Sequence, residues 1–182
     1  PPAYQVLLVD VRGHGGSTAL NAAAVASDGP TSTLADAAHD LMATLEAMGV
    51  RPDMVCGHSM GGKVAMAYLD ACMAGAYGGD YCPPRRTWVW DSAPGLVDRA
   101  AATGETQSVA SVLAAVAQAE MPVATKGELV AQLEALGIAK PIAQWFTTNL
   151  VPSKEVKGSF ELSFDLPTAN ALFESYGDTD FL

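Results

Sequence analysis

Ser59 stands in the pentapeptide Gly57-His58-Ser59-Met60-Gly61. A serine with glycine two residues to either side suits nucleophilic attack on an acyl carbon, with the hydroxyl held out on a sharp strand-to-helix turn. The spacing is a steric requirement, because in so tight a turn a Cβ two residues either side of the serine would meet the neighbouring strand or helix. If a helix starts at Met60, its backbone N–H can donate to a tetrahedral oxyanion. A serine hydroxyl also needs an imidazole base, and a carboxylate to orient that imidazole. The chain has three histidines, His14, His39 and His58. His58 leaves the backbone in a different direction from the Ser59 hydroxyl and reads as a supporting or packing residue. His39 falls on a helix and reads as a solvated side chain.

The elements around Ser59 match what such a turn needs. Asp53-Met54-Val55-Cys56 reads as a strand, and Gly62 to Ala74 as the helix that follows the turn. Upstream, Gln5-Val6-Leu7-Leu8-Val9-Asp10-Val11 is a nearly continuous apolar run, as expected for a strand buried on both faces of a parallel sheet. Between these two strands, Ser32 or Thr33 caps a helix with Leu34, Ala38, Leu41, Leu45 and Met48 at helical spacing, and Gly49 stops it. Thr87-Trp88-Val89-Trp90 is a third strand, with Trp88 and Trp90 expected as core-facing or lid-facing packing. Asp91 follows directly, where parallel α/β sheets place functional residues. It is either a site acid or a turn aspartate, and Asp98 is a weaker candidate that reads as a solvated helix start. Strand, helix, strand, helix, strand is the alternation of a doubly wound parallel sheet.

Beyond Asp91 the pattern is helical. Val109, Val112, Leu113 and Val116 mark one helix, Leu129, Leu133 and Leu136 a second, and Pro141 opens a third with Ile142, Trp145 and Phe146. Phe160 to Leu166 alternates as a half-exposed strand would, with a short helix through Leu172, Phe173 and Tyr176 behind it.

Gly57-His58-Ser59-Met60-Gly61-Gly62-Lys63, preceded by Leu8-Val9-Asp10-Val11-Arg12-Gly13-His14-Gly15 and followed by Trp90-Asp91-Ser92-Ala93-Pro94, resembles the α/β-hydrolase superfamily. Within it the sequence is similar to the group of abhydrolase-domain-containing protein eleven and its bacterial esterase and plant-type relatives. The resemblance extends through Gln144 to Leu150 and Ser159-Phe160 to Phe164-Asp165-Leu166. It implies a partial α/β-hydrolase fold: a parallel doubly wound sheet with an inserted helical lid. Residues 1–95 would be the central part of the core, 96–158 the lid, and 159–182 a return segment toward further core. The first strand would be the family's fourth, the turn would follow its fifth, and Asp91 its sixth.

The resemblance also implies the site: Ser59 as nucleophile, Met60 as an oxyanion donor, and His58 and His14 in support, with His14 tying loops by hydrogen bonds. The chain order in this fold is serine, acid, histidine. No histidine follows Ser59, so the base is expected beyond Leu182, and the acid is either Asp91 or lies there too. The second oxyanion donor is expected before Pro1, since the resemblance implies a His-Gly type loop after the family's third strand; Pro1 and Pro2 running almost directly into an apolar segment fits a chain that extends upstream. On this reading the chain is a central fragment that leaves sheet edges unpaired, and alone it is poorly stable and inactive.

The composition narrows the partners. With 49% apolar and 16% charged residues in 182, the chain can bury a sizeable core. Ten basic against twenty acidic residues, with no Lys or Arg run, disfavour nucleic acid and anionic membrane surfaces. No apolar stretch reaches the ~18 residues that span a bilayer. Cys56, Cys72 and Cys82 lack metal-type spacing, and their odd count points to reduced thiols inside a cell, in the cytoplasm or an organelle such as the mitochondrion or chloroplast. No metal or cofactor motif is present. The expected activity is hydrolysis of a small-molecule carboxylic ester, thioester or lipid ester, with a non-catalytic binding protein of the same fold as the alternative.

Overall fold

The computed structural model describes residues 5–18, 32–78, 83–97 and 107–182. Asp98 and Cys82 lie outside the described residues. The chain divides into two compact units, Pro1–Val97 with Ala171–Leu182, and Asp98–Asn170.

In the first unit, helix α1 spans Leu34–Ala47, strand β1 Met54–His58, helix α2 Met60–Met73 and strand β2 Arg86–Trp90. Helix α1 starts where its sequence says it must: the Thr33 hydroxyl accepts the Asp36 N–H while the Asp36 carboxylate accepts the Thr33 N–H, a reciprocal cap. Gly49, at φ +65°, ends it. Leu34, Ala38 and Leu45 then pack against Val64, Tyr68 and Cys72 of α2. Met48, counted with that apolar stripe on spacing, lies past the helix end and is exposed. The last helix of the chain, α6 (Leu166–Asp178, numbered in chain order), adds Leu172 to this core, and its Ser175 hydroxyl accepts the Leu34 N–H at 3.0 Å.

Strands β1 and β2 pair in parallel, with Met54 opposite Arg86 and His58 opposite Trp90. Their side chains alternate between two unlike faces. Val55 packs into the core with α2, and Val89 lies beside Gly62 of that helix. Met54, Cys56 and His58, with Arg86, Trp88 and Trp90, form an exposed face. Of the two alternatives expected for Trp88 and Trp90, core-facing or lid-facing, the first fails: they are 54% and 58% exposed and pack on each other with ring centroids 5.3 Å apart.

The clearest departure is at Gln5–Val11. This apolar run forms no ladder among the described residues, and Val6 and Leu8 are 79% and 89% exposed. A strand buried on both faces needs a paired neighbour. Here a cleft of about 1630 Å³ separates the run from the unpaired edge of β1, floored by Leu41 and Leu45 of α1 and Val64 of α2. Among the described residues the run is anchored at its end, where the Arg12 guanidinium takes Asp40 in a fork of 2.7 and 2.9 Å, and Asp10 accepts the Gly16 N–H at 2.8 Å.

Among its described residues the second unit holds the three helices that its spacing predicts, α3 (Val109–Val116), α4 (Lys126–Ala135) and α5 (Lys140–Phe146). Ser108 and Thr125 cap the first two, and Pro141 sits in the first turn of the third. Val116, Leu129, Leu133 and Phe146 are buried together, whereas Leu136 and Trp145 are exposed. The alternating run Phe160–Leu166 is a strand only over Phe160–Leu162 (β4), antiparallel to Leu150–Pro152 (β3). From Leu166 the chain is already helical, because the Asp165 carboxylate accepts the Thr168 N–H and starts α6. Among the described residues no helix is long and apolar enough to cross a membrane.

Candidate active site

Ser59 links the end of β1 to the start of α2 with φ +51° and ψ −119°, a backbone that non-glycine residues seldom adopt. The surroundings hold it there. The Ser59 N–H donates to the Trp90 carbonyl at 2.9 Å, and the Ser59 carbonyl accepts the N–H of Gly62 at 2.9 Å and of Lys63 at 3.2 Å. The serine is exposed at the N-terminus of a helix of 14 residues, with Met60 as the first helical residue. That places the dipole's positive end and the first free N–H groups beside the hydroxyl's end of the turn.

The glycines divide their work differently from the symmetric expectation. A Cβ on Gly57 would sit 2.1 Å from the Gly61 carbonyl oxygen, so that position admits no side chain. A Cβ on Gly61 meets nothing within 4 Å, because Gly61 borders the open cleft. The second close approach falls one residue later, where a Cβ on Gly62 would lie 2.8 Å from the Cβ of Ser92 and 3.1 Å from Val89. Gly62 thus lets the start of α2 lie against β2 and the turn that follows it.

Asp91 continues β2, the strand parallel to β1, and so stands at the same sheet end as Ser59. It is the other described non-glycine residue with positive φ, at +46°. Its carboxylate is 94% exposed and lies 3.9 Å from Nε2 of His58, itself 67% exposed. His58 therefore faces Asp91 on the open side of the sheet. The Nδ1 of His14 lies 3.0 Å from the Arg12 carbonyl oxygen. His39 is exposed on α1, with its ring 6.4 Å from that of Tyr77. Among the described residues no histidine hydrogen-bonds the Ser59 hydroxyl. The structure thus brings Ser59, Met60, His58 and Asp91 to one strand-end region.

Lys63 and Tyr176 escape a reading of the sequence. Lys63 lies one turn after Ser59 and is wholly buried, its ammonium bonded to carbonyls of Gly95, Tyr176 and Thr179. Burial pulls its pKa below the usual lysine value, and the charge of Asp180 opposes that shift. The available signal was a lysine directly after Gly61-Gly62, inside a stretch that is otherwise apolar through Tyr68.

Residues 1–170 match the model of the alpha/beta hydrolase family. Over 75 residues the chain is 39% identical to 2-succinyl-6-hydroxy-2,4-cyclohexadiene-1-carboxylate synthase of Yersinia pseudotuberculosis serotype O:1b (strain IP 31758), covering 41% of this chain and 24% of that protein. Among solved structures, a marine microorganism esterase superposes with a TM-score of 0.58 at 19% identity, over 82% of this chain and 52% of the esterase. The chain thus spans about a quarter of the curated relative's length and about half of the esterase's. A parallel strand pair, a serine on the strand-to-helix turn between them and a family match over most of the length agree, and the chain belongs to the alpha/beta hydrolase family.

Proposed function

We propose that the protein is a serine hydrolase that cleaves a carboxylic ester, thioester or lipid ester through an acyl-enzyme on Ser59. The observation that supports this most is the Ser59 backbone at φ +51° on an exposed turn at the head of α2, a strained conformation that an ordinary loop serine has no reason to keep. In the proposed reaction a histidine base takes the hydroxyl proton as Oγ bonds to the acyl carbon. The Met60 N–H stabilises the oxyanion, the alkoxide or thiolate leaves with that proton, and water then frees the acid. Asp91, or an acid beyond Leu182, orients the base. The base itself is proposed to come from polypeptide beyond Leu182, since among the described residues no histidine hydrogen-bonds the Ser59 hydroxyl and the chain order of this fold is serine, acid, histidine.

The test is fluorophosphonate treatment followed by intact-mass spectrometry. A form of the protein extended beyond Leu182 gains one probe mass, Ser59→Ala abolishes the gain, and residues 1–182 alone stay unlabelled while folded by circular dichroism. Ser59-dependent labelling of residues 1–182 alone would make one of their own histidines the base. An extended form that never labels would leave a non-catalytic binding protein of this fold.

A further inference from the structure

We infer that Lys63 is a positioning residue which, together with Tyr176, clamps the turn after β2 so that Asp91 keeps its left-handed backbone beside Ser59. The inference rests on the reading of Ser59 and Asp91 as the site. A buried ammonium is costly unless each donor finds an acceptor. Here three donors meet three carbonyls: Gly95 at 2.9 Å, Thr179 at 2.8 Å and Tyr176. The same nitrogen lies 4.6 Å from the centroid of the Tyr176 ring, within range of a cation–π contact.

What the clamp joins matters more than its strength. Gly95 belongs to the turn that leaves Asp91, whereas Tyr176 and Thr179 belong to the end of α6 and the residues after it. Two backbone bonds tie the same segments, Val97 N–H to the Gly177 carbonyl and Phe181 N–H to the Pro94 carbonyl, each at 3.0 Å. The hydroxyl of Tyr176, whose ring lies under the ammonium, comes within 3.4 Å of both the Ser92 hydroxyl and the Ala93 N–H. Ser92 and Ala93 are the two residues directly after Asp91, and Ser92 also packs on Gly62, next to Lys63. A non-glycine residue at φ +46° persists only when its neighbours over-determine it. On its upstream side Asp91 is held by the ladder of β2, and on its downstream side by this clamp. Because Lys63 is four residues after Ser59 on the same helix, one side chain fixes both strained residues in a common frame.

A purely structural lysine would cost stability on removal without altering the backbone at Asp91. The preference for glycine over alanine at position 91 separates the two roles, since neither side chain carries a charge and their difference reads the sign of φ. In the intact protein Asp91→Gly should give a folding equilibrium constant roughly fivefold above that of Asp91→Ala, from denaturant titration. In a Lys63→Gln background, and in the milder Tyr176→Phe background, the ratio should fall below about twofold as the turn relaxes. An unchanged ratio in the Tyr176→Phe background, or no glycine preference in the intact protein, overturns the inference. The readout does not involve Ser59 reactivity: a protein that never labels yet shows the coupling refutes the hydrolase reading and keeps the clamp.

Discussion

At the scale of single residues, Gly57 and Gly61 share a motif and differ in physical role. Gly57→Ala should cost about 3 kcal/mol or more, the upper end of overpacking, because the new Cβ meets backbone that cannot swing aside. Gly61→Ala should be neutral or gain about 0.5 kcal/mol, since the position is helical and open. Chemical denaturation of the two variants checks the contrast, and equal losses would mean that the cleft beside Gly61 is closed in solution. The described cysteines diverge in the same way. Cys56 is exposed on the bare face of the sheet, while burial in the α1–α2 core raises the Cys72 pKa above its usual 9.0, partly offset by a hydrogen bond with Tyr68. The neutral thiol is therefore favoured by folding. That contribution is full below pH 9 and is lost as pH climbs through the folded value, where the unfolded chain already holds thiolate. Iodoacetamide at pH 8 followed by peptide mapping should modify Cys56 in the folded chain and Cys72 only after denaturant is added.

At the scale of elements, local signals are legible where the deciding interactions lie within a turn or two of chain and no competing periodicity overlies them. Helix α1 shows this best, since its cap, stripe and glycine stop are all within 17 residues, Thr33 to Gly49. Thr33→Ala should lower stability by about 1 kcal/mol and shift the thermal midpoint downward by circular dichroism, whereas Thr33→Ser should retain the cap. No change on Thr33→Ala would show that tertiary packing alone starts the helix. Strand β3 was missed because Leu150–Pro152 is three residues long and ends in proline, too little for period-two alternation. Phe160–Leu166 was read as too long a strand for a related reason: the Asp165 cap that ends it depends on a side chain reaching the Thr168 N–H.

At the scale of the whole molecule, the described residues of the first unit bury one face of a two-stranded parallel sheet and leave the other face and one edge open. Apolar surface of this extent marks a binding site or a tendency to associate. All three tryptophans are more than half exposed, at 54%, 58% and 65% for Trp88, Trp90 and Trp145. Acrylamide should therefore quench the folded 182-residue chain almost as well as the denatured one, with an emission maximum near that of tryptophan in water. Strong protection from quenching in dilute solution would show that the face is covered by self-association, which sedimentation at several concentrations would register.

The sequence by itself determined the strand-to-helix turn at Ser59, the helices, the cap of α1 and the family, because glycine spacing and apolar period are local and survive without a partner. Only the tertiary structure decided that Gln5–Val11 finds no strand partner among the described residues, that Trp88 and Trp90 face outward, that Asp91 is held in a left-handed backbone, and that Lys63 lies buried. An apolar run specifies that it wants a neighbour, but pairing depends on which strand lies within about 5 Å. A lysine specifies a charge, but only three carbonyls from distant points of the chain could make its burial tolerable.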